Sequence, residues 1–351
     1  MKREIKSLTG LRGIAALYVA TYHFFEPFDK GLQFYVLNFI RHGYISVDMF
    51  FILSGFVITL SSKKLFDIST NSSNYLLFIK RRIARIYPIY LIVTIIAFAL
   101  LFKFKGIEIF FMNIFLLQIF TPLDYIIESS WSLSVEWLAY LIFPFLLSIV
   151  YRYPQKKWTI ICVFTSFCIL LFISLNNSNF LNGFRALPEL NGPLDRFMGI
   201  SAILRCFSEY IFGIAIFKIY EKYKHNYSKY FNYIAIICSL SLIILLSLPN
   251  TDLLIVFLFG ILILSLSTDQ GIVANFFSSP ILYFLGEISY SLYLIHPVLL
   301  RVDRFVYKKL LINNEVYIGS TFFISIILIS YLSYRFIEVP SRDFFRNKLK
   351  C

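Results

Sequence analysis

Eleven apolar runs, most of them long enough to cross a lipid bilayer, are distributed along this 351-residue sequence. A membrane-spanning helix needs about 20 predominantly apolar residues, whereas a transmembrane β-barrel shows short segments of alternating polarity. Of all residues, 58% are hydrophobic and only 15% are charged, less than a soluble domain of this size carries. These features predict an all-α polytopic membrane protein. The runs lie at about 8–27, 44–62, 83–102, 107–120, 131–150, 158–176, 203–219, 230–248, 252–268, 280–300 and 316–337.

The run 107–120 decides the predicted topology. It is short, and runs of 10–14 residues are often re-entrant or interfacial. If it does not cross and the N-terminus is inside, most basic clusters fall in cytoplasmic segments, as the positive-inside bias requires. We therefore predict about ten transmembrane helices plus one short re-entrant or interfacial helix. In this topology both termini are cytoplasmic, residues 1–351 form a single membrane-embedded domain without a soluble domain, and the basic loop 301–315 lies outside as an exception.

The net charge of +13 is read first as a sign of topology, and it is weak evidence for nucleic-acid binding. Four of the five cysteines fall in apolar runs, and no CxxC spacing occurs. The sequence therefore predicts neither a disulfide framework nor a metal site.

The basic N-terminus resembles the start of a signal peptide, but no A-x-A cleavage site follows, which favours a retained signal anchor.

The first apolar run carries a fixed cation, Arg12, and an imidazole, His23. Eleven residues of α-helix turn through about 1100°, so the two side chains lie on one face, roughly 16 Å apart along the axis. The residues between them on that face are small, which allows neighbouring helices to approach closely. Ionisable residues inside membrane helices are costly and by default suggest a functional site. The alternative is that Arg12 reaches the headgroups and His23 ends the helix at the far interface.

Two further elements add ionisable residues. Asp48 stands in an apolar helix and could orient His23 by accepting its ring N–H, although it could instead stabilise the start of its own helix. Arg82 and Arg85 are three residues apart and share a helix face. Because guanidinium forks suit phosphate oxygens, these two and Arg12 could hold the phosphates of a cytosolic cofactor. The alternative is an ordinary basic flank of a membrane helix.

The helix that begins at Trp131 carries Ser132, Glu136 and Tyr140 at spacings of four, hence on one face. A carboxylate at this position could hold a sugar hydroxyl or a partner cation, and the flanking tryptophan could be only an interface anchor.

Near the end of the chain, His296 precedes Pro297. Proline removes a backbone donor and frees a carbonyl one turn back, near Tyr293. The resulting bend would leave His296 facing a cavity or the interface. A structural histidine is at least as well supported as a catalytic one.

Together these elements resemble the acyltransferase-3 family of bacterial membrane O-acyltransferases, over nearly the whole chain and in the family's order. The resemblance implies transfer of an acyl group, commonly acetyl from acetyl-CoA, to hydroxyls of surface carbohydrates, and it implies functional roles for Arg12, His23, Arg82 and Arg85. Ser46 departs from the glycine common in the family, and we expect no SGNH-type domain after the last helix, although some members have one. The matching elements are Arg12-x10-His23, Val47-Asp48-x-Phe50-Phe51-x-x-Ser54-Gly55-Phe56, Arg82-x-x-Arg85-x-x-Pro88, Trp131-Ser132-Leu133-Ser134-Val135-Glu136, Ser289-Tyr290-Ser291-x-Tyr293-Leu294-x-His296 and Glu338-x-Pro340.

The resulting hypothesis is acyl transfer across a bacterial cytoplasmic membrane, from cytosolic acyl-CoA to a carbohydrate or lipid-linked glycan. The three arginines hold the acyl-CoA phosphates, and His23, oriented by Asp48, acts as general base. The predicted catalytic set includes Glu136, and the predicted acceptor contacts are Ser132 and His296. An acyl-histidine intermediate stays open. The rival hypothesis is a proton-coupled transporter or flippase for a lipid-linked saccharide, a class that often shows inverted repeats; no repeat is visible in this sequence.

Overall fold

A computed structural model describes residues 4–26, 33–66, 72–103, 106–121, 125–152, 155–176, 178, 181–182, 191–224, 228–311 and 314–348. These residues form helices and their connections, without any strand, which confirms the predicted all-helical class. The described α-helices are α1 (Lys6–Phe25), α2 (Phe34–Arg41), α3 (Ser46–Phe66), α4 (Ser72–Ala97), α5 (Ile107–Ile114), α6 (Ser130–Arg152), α7 (Gln155–Leu175), α8 (Gly199–Tyr223), α9 (Ser228–Leu246), α10 (Asp252–Leu266), α11 (Ile272–Phe277), α12 (Pro280–Glu287), α13 (Ser289–Leu310), α14 (Glu315–Ser333) and α15 (Val339–Lys348).

Within the described residues, six helical segments are long and apolar enough to cross a membrane. The prediction of about ten spans exceeds that number. Helix α1 is not among the six although it has 20 residues, because Arg12 and His23 lower its mean hydropathy. The stretch Tyr230–Leu246 of α9 and the helix α10 are apolar but shorter than a full span. The six segments are Phe34–Phe66, Ser72–Phe102, Ser130–Val150, Lys157–Leu175, Gly199–Tyr223 and Glu315–Phe345.

Two apolar runs differ from simple spans. The run 107–120 forms the eight-residue helix α5 and a short 3₁₀ turn at Gln118–Phe120, too short to cross a bilayer. The run 280–300 is two helices, α12 and α13, which meet at Ile288. Helix α13 also continues past this run to Leu310, so the predicted loop 301–315 is largely helical.

Helix α1 lies at the centre of the molecule. It contributes Val19, Ala15 and Ala16 to three different buried apolar clusters. The first cluster is built mainly on α3, α4, α6, α8 and α13, the second on α3, α8, α9 and α10, and the third on α13 and α14. The small residues predicted for one face of α1 therefore serve close packing against several helices.

Glycines allow close crossings of α1 with α12 and of α3 with α8. A Cβ atom at Gly286 of α12 would lie 2.0 Å from the carbonyl oxygen of Thr9 in α1, and one at Gly13 would lie 2.5 Å from the Gly286 nitrogen. In the α3–α8 contact, a Cβ at Gly213 would lie 2.1 Å from the carbonyl oxygen of Ile52. Only glycine lets these backbones approach so closely. The close α1–α12 contact brings the break at Ile288 beside Arg12.

Replacing Gly286 with alanine is expected to lower the free energy of unfolding by about 1–3 kcal/mol, because the added methyl group forces two helix backbones apart. Thermal unfolding of the detergent-solubilised protein measures the change. The matched control is Gly319→Ala on α14, where the nearest atom is the ring carbon Cζ of Phe24 at 3.2 Å. Equal unfolding temperatures for the two variants would contradict the close α1–α12 crossing.

Candidate active site

One cavity, of about 120 Å³, lies between α1, α3, α4, α6 and α13. It brings together Arg12, Arg82, Arg85, Ser132 and Glu136, which are far apart in the sequence. We call it the arginine cavity. It gathers the three predicted phosphate contacts on one side of α3.

The break between α12 and α13 positions Arg12. Its Nε donates to Ser289 Oγ at 2.9 Å, and its Nη2 donates to the carbonyl oxygen of Gly286, also at 2.9 Å. Ser289 Oγ donates to the same carbonyl oxygen at 2.8 Å. The guanidinium is thus held at two points, since the helix break makes the Gly286 carbonyl available to side chains.

Arg82 is held differently. Its guanidinium carbon lies 5.5 Å from the ring centroid of Phe78 and 5.8 Å from that of Tyr140, within the range of a cation–π contact. Its Nε is buried, and no described residue accepts a hydrogen bond from it. A buried donor without an acceptor is uncommon in a folded protein and needs an explanation. Arg85, one helix turn further on, is an exposed member of the same lining.

Glu136 lies in the arginine cavity. Its Oε1 accepts hydrogen bonds from Ser54 Oγ at 2.5 Å and from the Tyr140 hydroxyl at 2.6 Å. Ser132 also lines this cavity, and its Oγ lies 2.8 Å from the Tyr293 hydroxyl. The predicted common face of Ser132, Glu136 and Tyr140 is confirmed, because all three line one cavity.

A second cavity, of about 520 Å³, lies around His23 at the C-terminal end of α1. We call it the histidine cavity. Three carboxylate residues line it, Glu26, Glu128 and Asp195, together with the amide of Asn191. Its wall is rich in aromatic side chains: Tyr22, Tyr44, Phe102, Tyr125, Trp131, Phe197 and Tyr293.

The structure gives Asp48 a different partner from the one expected. Its Oδ1 accepts from Arg205 Nε at 2.7 Å and its Oδ2 accepts from Arg205 Nη2, with both side chains almost completely buried. This bidentate pair uses both carboxylate oxygens. No described residue hydrogen-bonds to the His23 ring, so the contact by which Asp48 would orient His23 is absent there. A role for Asp48 in catalysis stays a prediction.

His23 instead stacks on His296. The two ring centroids are 5.3 Å apart and the planes meet at 28°. His296 is fully buried, and it lines neither cavity. Its Nδ1 lies 3.3 Å from the carbonyl oxygen of Leu292, while Nε2 is buried without a hydrogen bond from any described residue. His296 therefore packs against the His23 ring outside both cavities, and its predicted contact with an acceptor stays a prediction.

Residues 5–335 match the acyltransferase-3 family, described as an acyltransferase domain. The chain belongs to this family. It is 29% identical over 380 aligned positions to the Staphylococcus aureus (strain COL) protein named "Putative O-acetyltransferase SACOL0978". The alignment covers 97% of this chain and 58% of that protein.

Two further relatives from this comparison are "O-acetyltransferase OatA" of Staphylococcus aureus (strain NCTC 8325 / PS 47) and "Acyltransferase MdmB" of Streptomyces mycarofaciens. OatA is 25% identical over 97% of this chain and 57% of its own length. MdmB is 32% identical over 44% of this chain and 42% of its own. The chain thus spans a little over half the length of the O-acetyltransferase relatives it matches. No solved structure matches the chain.

Several side chains of this acyltransferase domain's cavities were not predicted from the sequence. Arg205 lines the histidine cavity, and its guanidinium carbon lies 5.5 Å from the ring centroid of Trp131. A charge inside the apolar run 203–219 is a usable signal that sequence reasoning passed over. Asn191 and Asp195 come from a polar connection with no pattern that marks it.

The connection before α8 is fixed to α1 and α10. Asn191 Nδ2 donates to the Tyr22 hydroxyl at 2.8 Å and to Asp195 Oδ2 at 3.0 Å. The Leu194 backbone N–H donates to Asp252 Oδ2 at 2.7 Å. Burial raises the pKa of the Asp195 carboxyl, and the hydrogen bonds from Asn191 oppose that rise. These bonds form part of the wall of the histidine cavity.

The basic stretch of α13 adjoins the same cavity. Arg304 Nη2 donates to the carbonyl oxygen of His23 at 2.9 Å, and Arg301 Nη2 lies 3.3 Å from Glu128 Oε2. These two arginines belong to the segment 301–315, which is the exception to the predicted positive-inside bias. Their contacts give them a local role beside His23.

In the described part of the chain, no group of three or more His, Cys, Asp or Glu side chains could hold a metal ion.

Proposed function

We propose that this protein is a membrane O-acetyltransferase that moves an acetyl group from cytosolic acetyl-CoA to a hydroxyl of a cell-surface carbohydrate. One observation carries the proposal: a cavity with three arginines and a cavity with His23 adjoin, because Val47 and Tyr293 line both. Family membership and the O-acetyltransferase relatives support the reaction class.

The arginine cavity suits the donor. CoA carries phosphates, and guanidinium groups bind phosphate oxygens through paired hydrogen bonds. The Nε of Arg82 has no acceptor among the described residues, so it is free to donate to a phosphate oxygen. Arg85 is exposed, so it could contact the bulky nucleotide part of CoA outside the cavity. The small cavity volume fits the narrow thioester end of the donor.

The histidine cavity suits the acceptor. It is larger, and it combines aromatic rings with carboxylate and amide groups, which accept and donate hydrogen bonds to sugar hydroxyls. An imidazole works as a general base near neutral pH. His23 is the residue of this cavity that meets that requirement, and the stacked His296 limits the positions of its ring.

In the proposed reaction, His23 takes the proton of the acceptor hydroxyl and the hydroxyl oxygen attacks the thioester carbonyl carbon. A C–O bond forms, the C–S bond breaks, and the CoA thiolate takes up the proton that His23 had accepted, which returns His23 to its neutral form. The products are the ester and free CoA. If His23 carries the acetyl group transiently, the overall balance is the same.

The proposal places the arginine cavity toward the cytoplasm and the histidine cavity toward the outer face. With about ten spans, a non-crossing α5 and cytoplasmic termini, Arg12 lies near the inner end of α1 and His23 near the outer end. The terminal segments 1–3 and 349–351 lie outside the described residues. Labelling of single introduced cysteines from either side of the membrane tests this orientation.

The function is tested with labelled acetyl-CoA in membrane vesicles that contain the protein and their own glycans. We expect base-labile label in the glycan fraction. Arg82→Ala is expected to raise the KM for acetyl-CoA about 10- to 100-fold, the value of a hydrogen bond to a charged group. Arg81→Ala is the matched control, because Arg81 is exposed and does not line the cavity.

Equal effects of the two substitutions would contradict the donor site. Absence of any acetyl-CoA consumption by the wild-type protein would contradict the enzyme itself and favour a transporter of a lipid-linked saccharide.

A further inference from the structure

Tyr293 and Val47 form the boundary between the two cavities. Of all the residues that line either cavity, these two alone line both within the described part of the chain. Both are buried, with 7% of Tyr293 and 5% of Val47 exposed. We call this pair the partition. A thioester in the arginine cavity and a hydroxyl beside His23 would stand on opposite sides of it.

Three hydrogen bonds fix Tyr293 to the start of α6. Its hydroxyl lies 2.8 Å from Ser132 Oγ and donates to the Ser129 carbonyl oxygen at 3.1 Å, while its own carbonyl oxygen accepts from Ser129 Oγ at 2.9 Å. That carbonyl is available because Pro297, four residues later, has no N–H to donate to it. The sequence predicted this freed carbonyl, and the structure supplies its partner.

Acyl transfer needs the reacting atoms within about 3–3.5 Å, so the partition has to open when donor and acceptor are both bound. A permanent opening would also admit water from the histidine cavity. Water could then attack the thioester carbonyl carbon and break the C–S bond, giving acetic acid and free CoA. Enzymes that handle reactive acyl groups exclude water from the site to prevent this loss.

We propose that Tyr293, together with Val47, determines the ratio in which acetyl groups are transferred to the carbohydrate hydroxyl and to water. The closed partition protects bound acetyl-CoA from hydrolysis until an acceptor occupies the histidine cavity. This inference rests on the proposed function and adds a residue that controls specificity for acceptor over water.

The test compares vesicles containing wild-type protein with vesicles containing Tyr293→Ala, each supplied with labelled acetyl-CoA. Free labelled acetate reports hydrolysis, base-labile label in the glycan fraction reports transfer, and vesicles lacking the protein supply the background. We expect the ratio of hydrolysis to transfer to rise at least about tenfold in Tyr293→Ala, because water gains access to the thioester. Val47→Ala should also raise the ratio of hydrolysis to transfer.

Two variants separate the ring from its hydrogen bonds. Tyr293→Phe retains the ring and should raise the ratio less than Tyr293→Ala. Tyr90→Phe is the matched control: Tyr90 is also buried, its hydroxyl donates to the Asn113 carbonyl oxygen at 2.5 Å, and it lines neither cavity, so its ratio should match wild type.

Because each ratio is internal to one sample, loss of folded protein does not change it. An unchanged ratio in both Tyr293→Ala and Val47→Ala, with a wild-type protein that transfers acetyl groups, would overturn the partition. A wild-type protein that neither transfers nor hydrolyses would overturn the proposed function instead.

Discussion

Replacing His23 with alanine is expected to lower the rate of acetyl transfer about 10²- to 10⁴-fold, the usual contribution of a positioned general base. The reason is that His23 is the imidazole open to the acceptor-side cavity, whereas His296 is buried behind it. Steady-state transfer from labelled acetyl-CoA in membrane vesicles measures the loss.

The same variant should bind acetyl-CoA almost as tightly as wild type, because His23 does not line the arginine cavity. Equilibrium binding of labelled acetyl-CoA to purified protein provides this control. His23→Gln, which retains hydrogen-bonding capacity without an imidazole, should be as inactive as His23→Ala. Transfer within about twofold of wild type would remove His23 from the mechanism, since a lost base costs far more. Label trapped on His23 after rapid denaturation would select the acyl-histidine route.

Replacing Asp48 alone with alanine is expected to lower the free energy of unfolding by about 3–5 kcal/mol, because the buried Arg205 would lose its bidentate partner and keep only Glu209, whose Oε1 lies 3.9 Å from Arg205 Nε. The triple replacement Asp48→Leu, Arg205→Met and Glu209→Leu should recover much of that stability, since apolar side chains of similar volume often replace a buried ionic cluster at little cost. Thermal unfolding of the solubilised protein gives the comparison.

Helices α3 and α8 supply a matched control pair. Lys63 and Glu221 also join these two helices, but their side chains are 30% and 28% exposed. Their removal should cost at most about 1 kcal/mol, the range for solvent-accessible ion pairs. If Asp48→Ala unfolds at the wild-type temperature and yet loses transfer, Asp48 acts in catalysis as the sequence predicted and not chiefly through Arg205.

The sequence was most informative along single helices. A repeat of 3.6 residues per turn determines which side chains share a face, so Ser132 with Glu136, and Arg82 with Arg85, could be grouped correctly. The fourteen-residue length of the run 107–120, together with the positive-inside bias, predicted that it forms no full span. Pro297 allowed a freed carbonyl near Tyr293 to be predicted without knowing what would bind it.

Contacts between helices were not predictable in the same way. Glu136 was predicted to belong to the catalytic set with His23, and the structure shows it in the arginine cavity. Asp48 was assigned to His23, and Arg205 takes both of its oxygens. The connection that carries Asn191 and Asp195 has no periodicity from which a cavity wall could be inferred.

The sequence by itself determined the all-helical membrane class, the family, and the side chains that each helix presents on its polar face. Only the tertiary structure decided which of those faces meet, that the arginines and His23 line separate cavities, and that Tyr293 stands between them. The physical reason is that periodicity and composition are local properties of one helix. Rotation, tilt and partner choice depend on glycine contacts and side-chain packing among helices distant in the chain.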